Sequence, residues 1–133
     1  MNAVEARIWR AFLQSNAHLL TGVMHNVHVG TVAGDVLTDT DDERRLRAAL
    51  YAKRIDALGL RPHQTWLIEV KEHVRPSALG QLLVYIPLLA QRFPALPPAR
   101  PVLVAATFDA DTAAACVALK ITCTAPPFTP LTG

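Results

Sequence analysis

A leucine-rich helical segment enclosed by β-like runs is the feature that most constrains how this chain can fold. Two β-like runs, Ala52–Leu60 and Thr65–Glu72, are separated by a short polar turn, which predicts an antiparallel hairpin. A helix then begins at Pro76 and reaches about Arg92, and the apolar run Pro101–Thr107 follows as a buried strand. A strand, a helix and a further strand in succession favour a mixed sheet with helices on its faces.

Shorter segments on either side of this unit complete the predicted order of elements. An apolar stripe that includes Ile8 and Phe12 predicts a first helix from about Ala3 to Ser15. The other predicted elements are a strand over Gly22–Val32, an acidic loop that leads into a short helix with Arg44, Arg45 and Arg47, a helix over Thr112–Leu119 capped by Asp109 or Asp111, and a short strand at Ile121–Cys123. The proline-rich segment from about 125 to 133 is expected to be an irregular tail. We therefore expect one α/β domain over residues 1–133.

Composition narrows the class of protein. With 51% hydrophobic and 18% charged residues, the chain can bury a core and lacks the character of a disordered protein. The net charge of +2 neither demands nor excludes a nucleic-acid partner, because a basic patch can lie on a nearly neutral protein. No apolar stretch approaches the roughly 20 residues of a membrane helix, so we expect a cytoplasmic protein with no membrane partner. In that compartment Cys116 and Cys123 are expected to be free, buried thiols.

The residues with chemical potential lie on the two strands of the predicted hairpin. Because alternate side chains of a strand share a face, Glu69 and Lys71 point away from their apolar neighbours, and Asp56 leaves the apolar face of its own strand. Two carboxylates on paired strands form an oxygen site suited to Mg²⁺, to which the backbone carbonyl of Val70 can add a ligand. Lys71 can contact an attacking water or stabilise negative charge on a phosphate. The alternative interpretation is that these are solvent-facing charges on an ordinary hairpin.

The arrangement resembles the PD-(D/E)XK nuclease superfamily, especially its small resolvase-like and repair-nuclease branches. In that family the motif Asp lies on the second strand and the Glu-x-Lys on the third, which matches Asp56 and Glu69-Val70-Lys71. In several branches the next helix begins with a glycine–glutamine pair and carries a tyrosine one turn later, as Gly80-Gln81 and Tyr85 do here. The resemblance implies a restriction-endonuclease-like αβββαβ core, with a mixed central sheet flanked by helices.

The resemblance also implies roles for individual residues. Asp56 and Glu69 would hold Mg²⁺ or Mn²⁺, Lys71 would assist the nucleophile, and Gln81 would orient the water or a metal ligand. Glu5 would help to hold the metal site, although a boundary residue favoured near a helix N-terminus is an equally simple interpretation. The residues expected to contact nucleic acid are Lys53, Arg54, His73, Arg75 and Tyr85, with Arg44, Arg45 and Arg47 extending the basic rim.

The expected function is therefore that of a metal-dependent endonuclease acting on DNA. One set of motif residues serves one active site, so cutting both strands of a duplex favours a homodimer. Two other classes stay open from the sequence. One is a catalytically silent nucleic-acid-binding module on the same fold, and the other is an interaction subunit of a larger assembly.

Overall fold

A five-stranded mixed sheet with helices on both faces is the centre of the fold. The computed structural model describes residues 1–30, 40–43 and 53–133. In chain order its elements are α1 (Ala3–Asn16), a 3₁₀ turn (Ala17–Leu19), β1 (Gly22–Val29), β2 (Lys53–Leu60), β3 (Thr65–Val74), α2 (Pro76–Arg92), β4 (Ala99–Phe108), α3 (Ala110–Ala118) and β5 (Thr122–Thr124). The α/β class and the succession of these elements agree with the sequence prediction. The predicted basic helix with Arg44, Arg45 and Arg47 lies outside the described residues.

The strands lie in the sheet in the order in which they occur along the chain. β1, β2 and β3 pair antiparallel, whereas β3, β4 and β5 pair parallel. The predicted β2–β3 hairpin is confirmed, and so is the mixed sheet, because α2 and α3 supply the crossovers that parallel neighbours require. Both crossover helices contribute to one hydrophobic cluster, through residues such as Leu82 of α2 and Cys116 of α3.

The two faces of the sheet bury separate hydrophobic clusters. On one face α1 packs through Ile8, Trp9 and Phe12 against a group of residues that includes Trp66 and Val70. On the other face α2 packs against a second group, which includes Leu58, Leu67 and Leu103. We call these the α1 side and the α2 side. Because both faces of the sheet are covered, the first part of β3 is nearly all apolar and buried. A charged residue within that part is therefore buried as well.

The C-terminal segment packs against α1. It has no regular secondary structure after β5, as predicted, but its backbone is fixed by side chains at the end of the helix. Ser15 Oγ donates to the Phe128 carbonyl at 2.9 Å, and Asn16 Oδ1 accepts from the Leu131 amide at 2.8 Å. The Phe128 ring meets that of Phe12 edge-on, so this segment completes the cluster on the α1 side.

The prediction of free cysteine thiols is wrong. Cys116 of α3 and Cys123 of β5 form a disulfide, with their Cα atoms 6.6 Å apart. The chain reverses after α3, where Lys120 has a positive φ of 58° and the Ile121 amide donates to the Cys116 carbonyl at 2.8 Å. This tight return brings together two thiols whose sequence spacing alone does not indicate pairing. No helix in the described part of the chain is both long and apolar enough to cross a membrane.

Candidate metal-binding site

The two strands of the hairpin separate at the predicted acidic residues. The β2–β3 ladder runs from Leu60 opposite Thr65 to Ala57 opposite Ile68 and stops there. Asp56 and Glu69 would form the next pair of the ladder. Here the backbone amides donate to the carboxylates of these two residues and not to backbone carbonyls of the partner strand. The Val70 amide donates to Asp56 Oδ2 at 2.9 Å, and the Asp56 amide donates to Glu69 Oε1 at 3.3 Å. The expectation that these two acidic residues lie beside each other on adjacent strands is confirmed.

The acidic pair lies on the α2 side of the sheet. Ile68 and Val70, which flank Glu69, both pack on the α1 side, so Glu69 points the other way. Only 3% of Glu69 is exposed, whereas Asp56 is half-buried. The alternative of solvent-facing charges therefore does not hold for Glu69. A carboxylate is rarely buried to this extent without a partner.

Burial and proximity change the acidity of this pair. Desolvation, followed by the charge of Asp56, raises the pKa of Glu69 from 4.5 to about 8, and Lys71 opposes the rise in part. Burial also raises the pKa of Tyr85, and the two carboxylates raise it further. Tyr85 of α2 is thus buried close to the acids. Tyr85, which the sequence analysis expected to contact nucleic acid, therefore lines the acidic site.

A local change of strand geometry lies beside Asp56, and the sequence prediction missed it. On the α1 side His25 accepts a hydrogen bond from the Trp9 indole at 3.0 Å, whereas Val27, two residues on, packs on the α2 side. In a regular strand residues two apart share a face, so β1 switches face at Asn26, whose φ is +52°. Asn26 lies opposite Asp56 in the β1–β2 register. Asparagine tolerates this left-handed conformation, and an asparagine inside a β-like run was the available signal.

The donor chemistry of the pair fits a hard divalent cation. Mg²⁺ prefers oxygen ligands and usually keeps several waters, so one or two carboxylates suffice for its protein ligands. Asp56 and Glu69 supply two such groups at one point, and a cation there would offset the repulsion between them. In the described part of the chain, no three or more His, Cys, Asp or Glu side chains are grouped as a metal site. The carbonyl of Val70 as a further ligand stays a prediction.

Two residues with predicted catalytic roles, Glu5 and Gln81, lie on the helices that flank the sheet. Glu5 closes a capping box at the start of α1, where its Oε1 accepts from the Asn2 amide at 3.0 Å. Because α1 packs on the opposite side of the sheet from Glu69, this helix-capping contact explains Glu5, and its metal-site role stays a prediction without structural support. Gln81 is exposed on α2, one turn before Tyr85. Its role also stays a prediction.

Basic residues collect where β2 begins and β3 ends, beyond the acids. We call this end of the sheet the basic edge. Lys53 and Arg54 begin β2, and His73 and Arg75 lie at and just after the end of antiparallel β3, so all four are at the same edge and exposed. His73 Nδ1 is hydrogen-bonded to Thr107 Oγ1 at 2.8 Å on the neighbouring strand. Lys71 is half-buried between the acids and this edge. Such an arrangement can attract a polyanion toward the carboxylates.

Comparison of the chain with protein-family models, with curated proteins and with solved structures finds no match. What the chain does is therefore inferred from its own residues. The relevant features are the paired carboxylates, the lysine that follows Glu69 on the same strand, and the basic edge around them.

Proposed function

We propose that the chain is a metal-dependent nuclease of the PD-(D/E)XK type, with a restriction-endonuclease-like core, that hydrolyses phosphodiester bonds in DNA. The observation that carries this proposal is the meeting of Asp56 and Glu69 where β2 and β3 separate, with Lys71 next on the same face of β3. This placement was expected from the resemblance, and it brings the residues of the motif to one point.

Each residue has a distinct part in the proposed reaction. Asp56 and Glu69 would hold Mg²⁺ or Mn²⁺, which supplies Lewis acidity at the phosphate and lowers the pKa of a bound water. Lys71, close enough to Glu69 to lower its pKa, would donate to the attacking water or to a phosphate oxygen as negative charge develops. The amide of Val70 holds Asp56 Oδ2, which fixes the orientation of that carboxylate before a substrate binds.

The basic edge would bind the substrate, and the number of strands that are cut bears on the oligomeric state. Lys53, Arg54, His73 and Arg75 are exposed beside the acids, where they can contact the phosphates on either side of the scissile one. Cutting both strands of a duplex would favour a homodimer, because the chain carries one set of motif residues. The cytoplasmic location expected from the sequence would give access to such substrates, although the Cys116–Cys123 disulfide is unusual for a reducing compartment.

A cleavage assay with matched variants tests the proposal. Supercoiled and linear DNA are incubated with the protein in Mg²⁺, Mn²⁺ or chelator, and Mn²⁺ binding is followed by calorimetry. Asp56→Asn and Glu69→Gln should lower cleavage by about 100-fold or more and weaken Mn²⁺ binding. Lys71→Ala should lower cleavage about as much while Mn²⁺ binding persists. Glu72→Gln is the control, because Glu72 adjoins Lys71 but is exposed.

The outcomes separate the nuclease from its alternatives. Cleavage that is equally fast in all four variants would assign the activity to a contaminant or to another site. A parent that binds DNA but never cuts it with either metal would instead support the silent binding module. Absence of both cleavage and DNA binding would favour the interaction subunit.

A further inference from the structure

Strand β2 changes face at Asp56, in step with the change that β1 makes at Asn26. Ala57 packs in the cluster on the α1 side, whereas Ile55, two residues away, packs in the cluster on the α2 side. In a regular strand these two residues would share a face. The paired residues of β1 and β2 keep one register on either side of this point, but Asn26 and Asp56 are not themselves paired in that ladder. Both strands therefore turn together at one position.

The backbone of Asn26 makes this turn possible. Among the described residues other than glycine, only Asn26 and Lys120 have a positive φ, and that of Asn26 is 52°. A residue in the left-handed region inside a strand is uncommon, and such a conformation persists where the surrounding structure requires it. The side chain of Asn26 is exposed, so the feature that connects this residue to its surroundings is its backbone conformation.

The turn coincides with the separation of β2 from β3. The β2–β3 ladder ends at the pair Ala57 and Ile68, one position before Asp56 and Glu69 would pair. There the Asp56 amide donates to Glu69 Oε1 at 3.3 Å, and the Val70 amide donates to Asp56 Oδ2 at 2.9 Å. The amides that hold the two carboxylates are thus available because the regular ladder does not continue.

Beyond the turn, the ribbon formed by β1 and the start of β2 lies against α2. Val27, Val29 and Ile55 all pack in the cluster on the α2 side, and Gly30 lies beside Leu88 of that helix. These apolar contacts hold the two strands in their new direction. The placement of the acidic pair therefore depends on a backbone conformation in β1, a strand that carries neither acid.

We propose that Asn26 is a positioning residue for the acidic pair and acts through the left-handed backbone at which the β1–β2 ribbon turns. A β-branched residue at this position favours the regular strand conformation. The β2–β3 ladder could then continue through Asp56 and Glu69, and the contacts that orient their carboxylates would be lost. That this orientation serves a metal ion rests on the proposed function, whereas the geometric role of Asn26 does not.

Hydrogen exchange measured by NMR tests the geometric role without any metal. The amide of Val70 is the reporter, because its hydrogen bond to Asp56 Oδ2 depends on the position of that carboxylate. Asn26→Val should accelerate exchange of this amide about tenfold or more, while the amides of β4 keep their protection. Asn26→Gly should stay within about twofold of the parent, since glycine adopts the left-handed conformation without strain. Asn26→Ala gives a milder change if the valine variant does not fold.

Two control variants separate positioning from a general loss of stability. Lys120→Val places the same residue type at the other positive φ, 58°, in the return between α3 and β5. It should lower the melting temperature and leave the exchange of the Val70 amide unchanged. His28→Val introduces valine at an exposed position of β1 whose φ is not positive, and it should behave as the parent does.

Calorimetric titration with Mn²⁺ measures the consequence for the proposed site. Asn26→Val should raise the dissociation constant about tenfold or more, as is typical when the groups that orient a metal ligand are disturbed. Asn26→Gly and Lys120→Val should bind Mn²⁺ as the parent does.

The combined outcomes decide the inference. Faster exchange of the Val70 amide in Asn26→Val, with Asn26→Gly and Lys120→Val unchanged, supports it. Unchanged exchange in both Asn26→Val and Asn26→Ala would overturn it. Equal acceleration in Lys120→Val would reveal only lost stability, and equal acceleration in Asn26→Gly would assign the effect to the carboxamide, so each would also overturn it. A parent that binds no Mn²⁺ would count against the metal site, and the exchange comparison would still decide the role of Asn26.

Discussion

Replacing Glu69 by glutamine should stabilise the protein when no divalent metal is present. The glutamine keeps an oxygen that can accept from the Asp56 amide, as Glu69 Oε1 does at 3.3 Å. Its amide group can donate to the Asp56 carboxylate, so repulsion between two acids is replaced by a hydrogen bond. Only 3% of Glu69 is exposed, and the two side chains have nearly the same volume, so packing changes little.

The size of the effect follows from the acidity of Glu69. An ordinary glutamate, as in the unfolded chain, loses its proton near pH 4.5, whereas in the folded protein Glu69 loses it near pH 8. Between these pH values the folded state binds more protons than the unfolded state, so the free energy of unfolding falls as the pH rises. The full difference corresponds to about 5 kcal/mol above pH 8. Relaxation and water entry around the charged pair reduce this to about 2–3 kcal/mol.

Urea unfolding followed by circular dichroism measures this effect in chelator across a pH series. Glu69→Gln should be more stable than the parent by about 2–3 kcal/mol near pH 9, and the two should converge near pH 4.5. Saturating Mg²⁺ should narrow the gap at high pH, because the cation binds the ionised parent more tightly than the variant. The exposed substitution Glu72→Gln should show no such gap. A parent and a Glu69→Gln variant with the same pH dependence of stability would refute the reasoning.

Two further predictions concern the parts of the fold that support the site. Phe12→Ala should lower the free energy of unfolding by about 3–5 kcal/mol in urea, because Phe12 is fully buried between Trp9 and Phe128, and a loss below about 1 kcal/mol would contradict the cluster on the α1 side. Reduction of the Cys116–Cys123 disulfide should lower stability by about 2–3 kcal/mol, as expected for a short closed loop. Thermal melts with and without reductant measure this effect, and free thiols in the oxidised protein would contradict the bond.

The elements that the sequence predicted are those whose signals are local. The alternation along β3 predicted that Glu69 and Lys71 lie on one face of the strand and that Ile68 and Val70 lie on the other. The structure has this arrangement. The polar turn between β2 and β3 predicted the hairpin, and the hairpin alone is enough to bring Asp56 beside Glu69. Short-range periodicity was sufficient here because the acidic pair depends on a single strand pairing.

The features that sequence reasoning missed depend on contacts between distant segments. Arg61 and Arg100 donate to backbone oxygens of Gly133 and Thr132, which lie far from both arginines in the sequence. The deep burial of Glu69 follows from the packing of α2 over a face that the alternation alone would assign to solvent.

The cost of the acidic pair is itself an argument for a ligand. A sequence selected only for stability would place apolar side chains at both positions, as it does at Leu58 and Leu67, the preceding pair on the same face of the sheet. Asp56 and Glu69 instead interrupt the ladder, take up backbone donors with their carboxylates and lie close enough to repel each other. A divalent cation would convert that repulsion into attraction, and its binding free energy would add to the stability of the folded state. Under the proposed function the residues that weaken the metal-free protein are those that would hold the metal. The stability of Glu69→Gln with and without Mg²⁺ therefore tests the proposed site independently of a cleavage assay.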